Sequence, residues 1–131
     1  MSTDVALVGV GLHPWGKWGR PFHEYGIEAA LAALDDAGIG WGDVQFVAGG
    51  ETVRNGYPGY VAAATITQAL GWNGARVATC YAACASGVTA LDAARARILA
   101  GLCDVAQISS SRSGSATIGD ASTSSSVTSL R

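Results

Sequence analysis

The sequence predicts an α/β fold, with a mainly parallel or mixed sheet covered by helices on both faces. Two observations lead to this prediction. Short apolar runs alternate with longer segments of helical periodicity, and glycine closes most of those segments. Strands that alternate with helices in this way form βαβ units, whose strands lie in one sheet.

Four strands and three helices follow from this pattern. The first strand is a continuous apolar run flanked by glycine, which is typical of a strand buried on both faces. The first helix begins at Glu24 and ends near Gly38, and its apolar residues recur at helical spacing. The predicted strands are Val5–Val10, Val44–Ala48, Arg76–Cys80 and Cys103–Ile108, and the later helices span Tyr60–Leu70 and residues 86–100.

The pattern divides the chain at residue 108. Residues 1–108 form the predicted domain. Residues 109–131 contain ten serines and three threonines among 23 residues and show no apolar periodicity. Such a composition buries too little surface to offset the entropy of ordering the chain, so we expect a disordered tail. The change falls within the fourth strand, which also suggests translation out of frame or truncation.

Composition excludes several classes of function. The formal charge is −2, and 49% of the residues are hydrophobic. This charge gives no basic surface for nucleic acid or an anionic membrane. The chain begins without a basic, long apolar leader and contains no segment of membrane-spanning length. Three cysteines without a secretion signal indicate reduced thiols and a cytoplasmic location.

No bound cofactor or metal is predicted. Cys80 and Cys84 lie close together, but no second close-spaced ligand pair completes a zinc site. Gly9-Val10-Gly11 lacks the third glycine and the immediate helix that a dinucleotide fingerprint requires. His13 and His23 have no nucleophile nearby in sequence, so we expect them to be loop or surface residues.

The segment around Cys84 carries the strongest chemical signal. Cys84 lies where an apolar run ends and an alanine-rich helical pattern begins. A thiolate there would face the positive end of a helix and its unpaired N–H groups, which stabilise negative charge. Small residues surround it and leave room for a carbonyl group. The segment therefore favours acyl transfer through a thioester, although buried structural cysteine is the ordinary alternative and Cys80 competes for the role.

The same residues resemble a known family. Cys84-Ala85-Ser86-Gly87, the following helix and the segment Ala100–Val105 resemble the nucleophile region of thiolases. The beginning of the chain, Val8–Lys17, is similar to the lipid-transfer-protein branch, which includes the thiolase part of sterol carrier proteins. The loop Arg54–Gly59 and residues 75–87 support this branch. The resemblance covers residues 1 to about 106.

The resemblance implies a thiolase fold of two similar halves, of which this chain is the first. Cys84 matches the nucleophile that takes up an acyl group from a coenzyme A thioester, which is a substrate and not a bound cofactor. Its backbone N–H would join an oxyanion hole, so Cys84, Ala85, Ser86 and Gly87 form the predicted site at the helix N-terminus. Homodimers would form through strand Arg76–Cys80.

The implied substrates are fatty or sterol-derived acyl-CoA, used in thiolysis of a 3-oxoacyl-CoA or the reverse condensation. Retro-aldol cleavage of a steroid-CoA ester is a further alternative. No residue matches the histidine and second cysteine of the second half of a thiolase, so a truncated, catalytically deficient fragment is expected. A non-catalytic module that binds a lipid or a small companion protein is the alternative from a different class.

Overall fold

The computed structural model describes residues 4–14, 16, 19–50, 62–110 and 114–120. Within these residues, five strands and three helices alternate along the chain up to the last two strands, which are consecutive. The elements are β1 Val5–Leu12, α1 Phe22–Ala37, β2 Phe46–Gly50, α2 Ala62–Leu70, β3 Arg76–Cys80, α3 Ser86–Leu99, β4 Val105–Ser110 and β5 Gly114–Asp120.

The strands form one mixed sheet in the order β1-β5-β4-β2-β3. Strand β2 runs parallel to both β3 and β4, whereas β5 runs antiparallel to both β4 and β1. Four strands therefore point the same way, and β5 alone is reversed among the described strands. The predicted α/β class with a mainly parallel or mixed sheet is confirmed.

Alternate residues of β2 face opposite helix layers. Phe46 and Ala48 pack with α3 in one apolar cluster, whose further members include Ala90, Ala94 and Ile98. Val47 packs on the other face with Leu34 of α1 and Ala63 of α2. Because side chains alternate across a strand, these two clusters place α3 on one face and α1 with α2 on the other.

Two glycines at the end of β2 allow helices to approach the sheet closely from both faces. A Cβ at Gly49 would lie 2.6 Å from the backbone nitrogen of Ala63, and one at Gly50 would lie 2.7 Å from the carbonyl oxygen of Ser86. The predicted strand, Val44–Ala48, ends before these glycines. They belong to the strand because the beginnings of α2 and α3 pack directly against its backbone.

Strand β5 corrects the prediction of a disordered tail beginning at residue 109. Residues 109–110 complete β4, and Gly114–Asp120 pair with two neighbouring strands. The fourth strand is therefore followed by a fifth, which the sequence pattern did not predict. Residues 121–131 lie outside the described residues.

Buried hydrogen bonds explain how a segment rich in serine and threonine joins the core. Gln107 Nε2 donates to Ser115 Oγ, Ser115 Oγ donates to the carbonyl oxygen of Ile108, and Thr117 Oγ1 donates to Gln107 Oε1 over 2.7 Å. Gln107 and Thr117 are both fully buried. Since the hydroxyls of Ser115 and Thr117 have partners, their burial carries no large desolvation cost, whereas the buried Ser109 hydroxyl has no hydrogen-bond partner. Composition alone misses this pairing.

Strand β1 is exposed on one face, which contradicts the expectation of burial on both. Its register with β5 shifts between Leu7 and Gly9. After this shift, Gly9 and Gly11 both face α1. The side chains of Leu7, Val10 and Leu12 are 59%, 54% and 76% exposed. The continuous apolar run therefore reflects one tightly packed face and one that the described residues leave uncovered.

Candidate active site

Cys84 lies on a short turn between an edge strand and a helix. Strand β3 ends at Cys80, a 3-10 turn covers Ala83–Ala85, and α3 begins at Ser86. The side chain of Cys84 is exposed. The structure therefore places the predicted nucleophile at the carboxyl end of β3 and immediately before a helix of 14 residues, where the helix dipole favours an anion.

Close packing against β2 holds the beginning of α3 in place. A Cβ at Gly50 would lie 2.8 Å from both the Cα and the nitrogen of Gly87. Gly50 is also the residue of β2 that pairs with Cys80. The helix N-terminus thus lies against the carboxyl edge of the sheet, the edge at which ligands bind in open α/β sheets.

The backbone of the turn is strained at one residue. Ala83 has φ of 48°, and it is the one non-glycine residue with positive φ in the described part of the chain. This left-handed conformation is unfavourable for residues with a Cβ and persists where surrounding contacts enforce it. The strained residue directly precedes Cys84.

Several N–H groups of the predicted site are already hydrogen-bonded. Ala85 N–H donates to the carbonyl oxygen of Ala82 over 2.9 Å, and Ser86 N–H donates to that of Ala83. The amides of Ala85 and Ser86 are therefore used within the turn, and they are poor candidates for an oxyanion hole. Cys84 N–H takes no part in these bonds, and Gly87 lies at the start of α3. The four consecutive residues of the predicted site therefore differ in whether their backbone N–H groups are bonded within the turn.

The other two cysteines occupy different environments. Cys80 is partly buried against the α3-side cluster, and Cys103 is a buried member of it. Burial raises the pKa of both thiols. A raised pKa lowers the thiolate fraction at neutral pH and so weakens a nucleophile. Of the three thiols, Cys84 is the one exposed to a reagent in solution.

A cluster of charged and aromatic side chains lies at the carboxyl end of β1. His13, predicted to be a loop or surface residue, has a side chain that is only 6% exposed. Arg20 Nη2 lies 2.8 Å from His13 Nε2, and Arg20 Nη1 lies 2.5 Å from Glu28 Oε1. The ring of Tyr25 contacts both His13 and the guanidinium. His23, also expected in a loop, lies in α1.

This cluster stands apart from Cys84. Strands β1 and β3 are the two edges of the sheet, with three strands between them. At about 4.8 Å per strand, they lie about 19 Å apart. His13 is therefore not a general base for Cys84. Sequence reasoning missed Arg20 and Glu28, since no chemical motif contains them.

The described residues also bear on metal binding and membrane insertion. Among the described residues, no group of three or more His, Cys, Asp or Glu side chains could hold a metal ion. In the same part of the chain, no helix has the length and hydropathy required to cross a membrane.

Comparisons with known proteins identify the fold. Residues 47–109, just under half of the chain, match the family model of the β-ketoacyl synthase N-terminal domain. An acetyl-CoA acetyltransferase from Syntrophomonas wolfei superposes with a TM-score of 0.71 at 23% identity, over 82% of this chain and 28% of that one. A search of curated proteins found no match.

Two further solved structures show the same likeness. OleA from Xanthomonas campestris, crystallised with lauric acid and lauroyl-CoA, has a TM-score of 0.80 at 12% identity, over 94% of this chain and 58% of that one. For 3-oxoacyl-[acyl-carrier-protein] synthase III from Aquifex aeolicus VF5 the TM-score is 0.71 at 14% identity, with coverages of 88% and 54%.

The class of protein that these findings define is that of the thiolase fold. The thiolase resemblance is confirmed at this level, and the finer lipid-transfer branch stays a prediction. The chain spans between 28% and 58% of the length of these three structures. The loop Arg54–Gly59, which supported that branch, lies outside the described residues.

Proposed function

We propose that this chain is the first half of a thiolase-type acyltransferase and that Cys84 takes up the acyl group. The Cys84 thiolate attacks the carbonyl carbon of an acyl-CoA, and a new sulfur–carbon bond forms. The bond from that carbon to the coenzyme A sulfur breaks, and coenzyme A leaves as a thiolate that takes a proton from water. The single observation that carries the proposal is the exposed Cys84 on the turn before α3 in a thiolase fold.

The proposal limits the chain to the acyl-uptake step. Carbon–carbon bond formation or cleavage needs acid–base groups at the substrate α-carbon. The sequence contains no match to the histidine and second cysteine that the thiolase resemblance assigns to the second half, and His13 lies at the opposite edge of the sheet. The completed reaction therefore requires groups outside this chain, and the chain by itself is catalytically deficient.

The substrate class that we propose is fatty or sterol-derived acyl-CoA, as in the lipid-transfer branch. The sequence resemblance at the beginning of the chain and around Cys84 supports it. Thiolysis of a 3-oxoacyl-CoA, condensation and retro-aldol cleavage of a steroid-CoA ester share this first half, so the proposal covers the acyl-enzyme and not the later step. The three free cysteines suit a reducing compartment, and we propose a cytoplasmic location.

We further propose a homodimer formed through β3. This strand lies at an edge of the sheet, and Arg76, Val77 and Thr79 on it are exposed. An edge strand offers unpaired backbone groups to a second copy of itself. Val77→Lys is expected to shift the molecular mass measured by light scattering from dimer to monomer. Val10→Lys on the opposite edge strand is the control, and equal effects of the two would contradict this interface.

A binding module is the second candidate function, and the exposed apolar side chains favour it. Val88 and Leu91 of α3 are 70% and 40% exposed, in addition to the exposed face of β1. Exposed apolar surface of this kind marks a site for a partner. A lipid or a small companion protein would then bind there without chemistry at Cys84. Binding that survives Cys84→Ala, in a chain that never becomes acylated, would favour this candidate.

Acylation of the purified chain tests the main proposal. The 131-residue protein is incubated with radiolabelled acetyl-CoA and separately with lauroyl-CoA, and its intact mass is measured. We expect one acyl group per chain on Cys84, none on Cys84→Ala, and full labelling of Cys80→Ala. Trypsin releases residues 77–95 as one peptide with both Cys80 and Cys84, so fragmentation of that peptide locates the group. Absence of label on the wild-type chain would overturn the proposal.

A further inference from the structure

We propose that Ser86 is a positioning residue whose hydroxyl sets the geometry of Cys84 for acyl transfer. This inference rests on the proposed function, because positioning has a meaning only if Cys84 reacts. Ser86 is the first residue of α3, and its side chain is only 4% exposed, whereas residues 81–85 are all exposed. The turn that carries Cys84 is thus fixed to the protein by a buried group that follows it.

The hydroxyl of Ser86 joins two backbone groups on the far side of Cys84. Ala82 N–H donates to Ser86 Oγ over 2.9 Å, and Ser86 Oγ donates to the carbonyl oxygen of Ala83 over 2.7 Å. The donor and the acceptor belong to the two residues before Cys84. One hydroxyl therefore connects the N–H of Ala82 with the carbonyl oxygen of Ala83, immediately before the nucleophile.

These bonds explain how the strain at Ala83 is maintained. Its φ of 48° is unfavourable and needs contacts that enforce it. Ser86 supplies two of them, because its Oγ binds the carbonyl of Ala83 and its N–H donates to the same oxygen. Both bonds therefore fix the carbonyl oxygen of the peptide group between Ala83 and Cys84. The direction of Cys84 N–H, which lies in the plane of that peptide group, is fixed as a result.

The chemical consequence concerns transfer and not simple reactivity of the thiol. Acyl transfer requires the sulfur and a donor for the developing oxyanion to meet one carbonyl group in a defined geometry. Alkylation by a small reagent requires only an accessible thiolate. Loss of the Ser86 hydroxyl should therefore impair the first reaction far more than the second.

Thr89 offers a matched control on the same helix. Thr89 Oγ1 donates to the carbonyl oxygen of Ala85 over 3.0 Å and is exposed, so it also ties a hydroxyl to the turn. That bond does not reach Ala82 or Ala83. Thr89→Ala thus removes a hydrogen bond of similar length from the same helix end without releasing the peptide plane at Cys84.

The experiment compares acylation with alkylation in a Cys80→Ala background. Acylation by acetyl-CoA and alkylation by iodoacetamide are followed by mass for the parent, Ser86→Ala and Thr89→Ala, after circular dichroism has established folding. We expect Ser86→Ala to slow acylation by about tenfold or more and alkylation by less than about threefold, whereas Thr89→Ala changes neither by more than about twofold. Equal acylation rates for the parent and Ser86→Ala would overturn the inference and leave the proposed function intact.

A parent chain that is alkylated but not acylated would instead overturn the proposed function, and this inference with it. Ser86→Ala combined with Ala83→Gly separates positioning from folding, because glycine removes the steric strain at residue 83. We expect this double variant to regain thermal stability relative to Ser86→Ala while its acylation stays slow. Recovery of both would show that the hydroxyl serves stability alone. The double variant also supplies the rates if Ser86→Ala alone does not fold.

Discussion

The two edge strands of the sheet run in the same direction and present their following residues in opposite ways. Strand β3 leads into an exposed turn with Cys84, whose backbone is strained at Ala83. Strand β1 leads to His13, which is buried and bonded to Arg20. The Cys84 thiol is exposed, whereas the His13 ring is buried and contacts Arg20 and the α1 residue Glu28. A titratable side chain after a strand is therefore no evidence of catalysis until its partners are known.

The largest expected effects come from substitutions of Cys84 and His13. Cys84→Ala should abolish acyl uptake and leave the melting temperature unchanged, because the thiol is exposed. His13→Gln should leave acyl uptake unchanged and lower the melting temperature, because His13 is buried among charged partners. Mass spectrometry and differential scanning calorimetry measure the two quantities. Loss of acyl uptake in His13→Gln would contradict the separation of the two regions.

Glycine substitutions test how closely α3 packs against β2 and α1 packs against β1. A Cβ at Gly50 would contact Ser86 O at 2.7 Å, and one at Gly11 would meet the carbonyl of Ala29 in α1 at a still shorter distance. Both contacts are with backbone and cannot be relieved by a rotamer change. We expect Gly50→Ala and Gly11→Ala each to lower the free energy of unfolding by about 1–3 kcal/mol. Denaturation in urea measures it.

The control for both is Gly42, where a Cβ would meet nothing within 4 Å. Gly42→Ala should change the free energy of unfolding by less than about 0.5 kcal/mol. Gly50→Ala, unlike Gly11→Ala, should also slow acyl uptake, because the added Cβ displaces the beginning of α3. Unchanged acyl uptake in a destabilised Gly50→Ala chain would show that Cys84 does not depend on that packing.

The ion pair beside His13 predicts a loss of stability in acid. The hydrogen bond from Arg20 and the positive charge of its guanidinium lower the pKa of Glu28 below its ordinary value of 4.5. A carboxyl group with a lowered pKa stabilises the fold above its unfolded value and loses that contribution as pH falls through the folded value. The melting temperature should therefore fall more steeply below about pH 4.5 for the wild-type chain than for Glu28→Gln. Parallel curves would exclude this linkage.

The sequence predicted the sheet and the cysteine turn far better than it predicted the end of the chain. Strand β3 has the predicted bounds, Arg76–Cys80, and α3 begins at the predicted residue, because apolar spacing and glycine stops are local signals. Strand β5 was missed because its serine and threonine hydroxyls bond to Gln107, a partner in another strand that composition does not show. The suggestion of a frame change stays a prediction.

The candidate site was likewise predicted only in part from the sequence. The identity of Cys84 as the candidate nucleophile followed from residue type and position, whereas the buried hydroxyl of Ser86 and the positive φ of Ala83 depend on the folded backbone. His13 was assigned to a loop or the surface because no nucleophile lies near it in sequence, whereas in the structure it is 6% exposed and contacts Arg20 and Glu28. Long-range hydrogen bonds and close backbone contacts are the parts that sequence patterns do not encode.

The smallest expected effect belongs to the strained residue itself. Ala83→Gly removes the clash of a Cβ in the left-handed region but gives the unfolded chain more freedom, so the two effects partly cancel. We expect the free energy of unfolding to rise by about 1 kcal/mol or less. Acyl uptake should fall slightly, because a freer residue 83 holds the plane of the next peptide less firmly. A more stable chain with faster acyl uptake would show that the strain at Ala83 opposes the reaction. The difference between the exposed turn of Cys84 and the buried His13 would then not be explained by a role of that strain in acyl transfer.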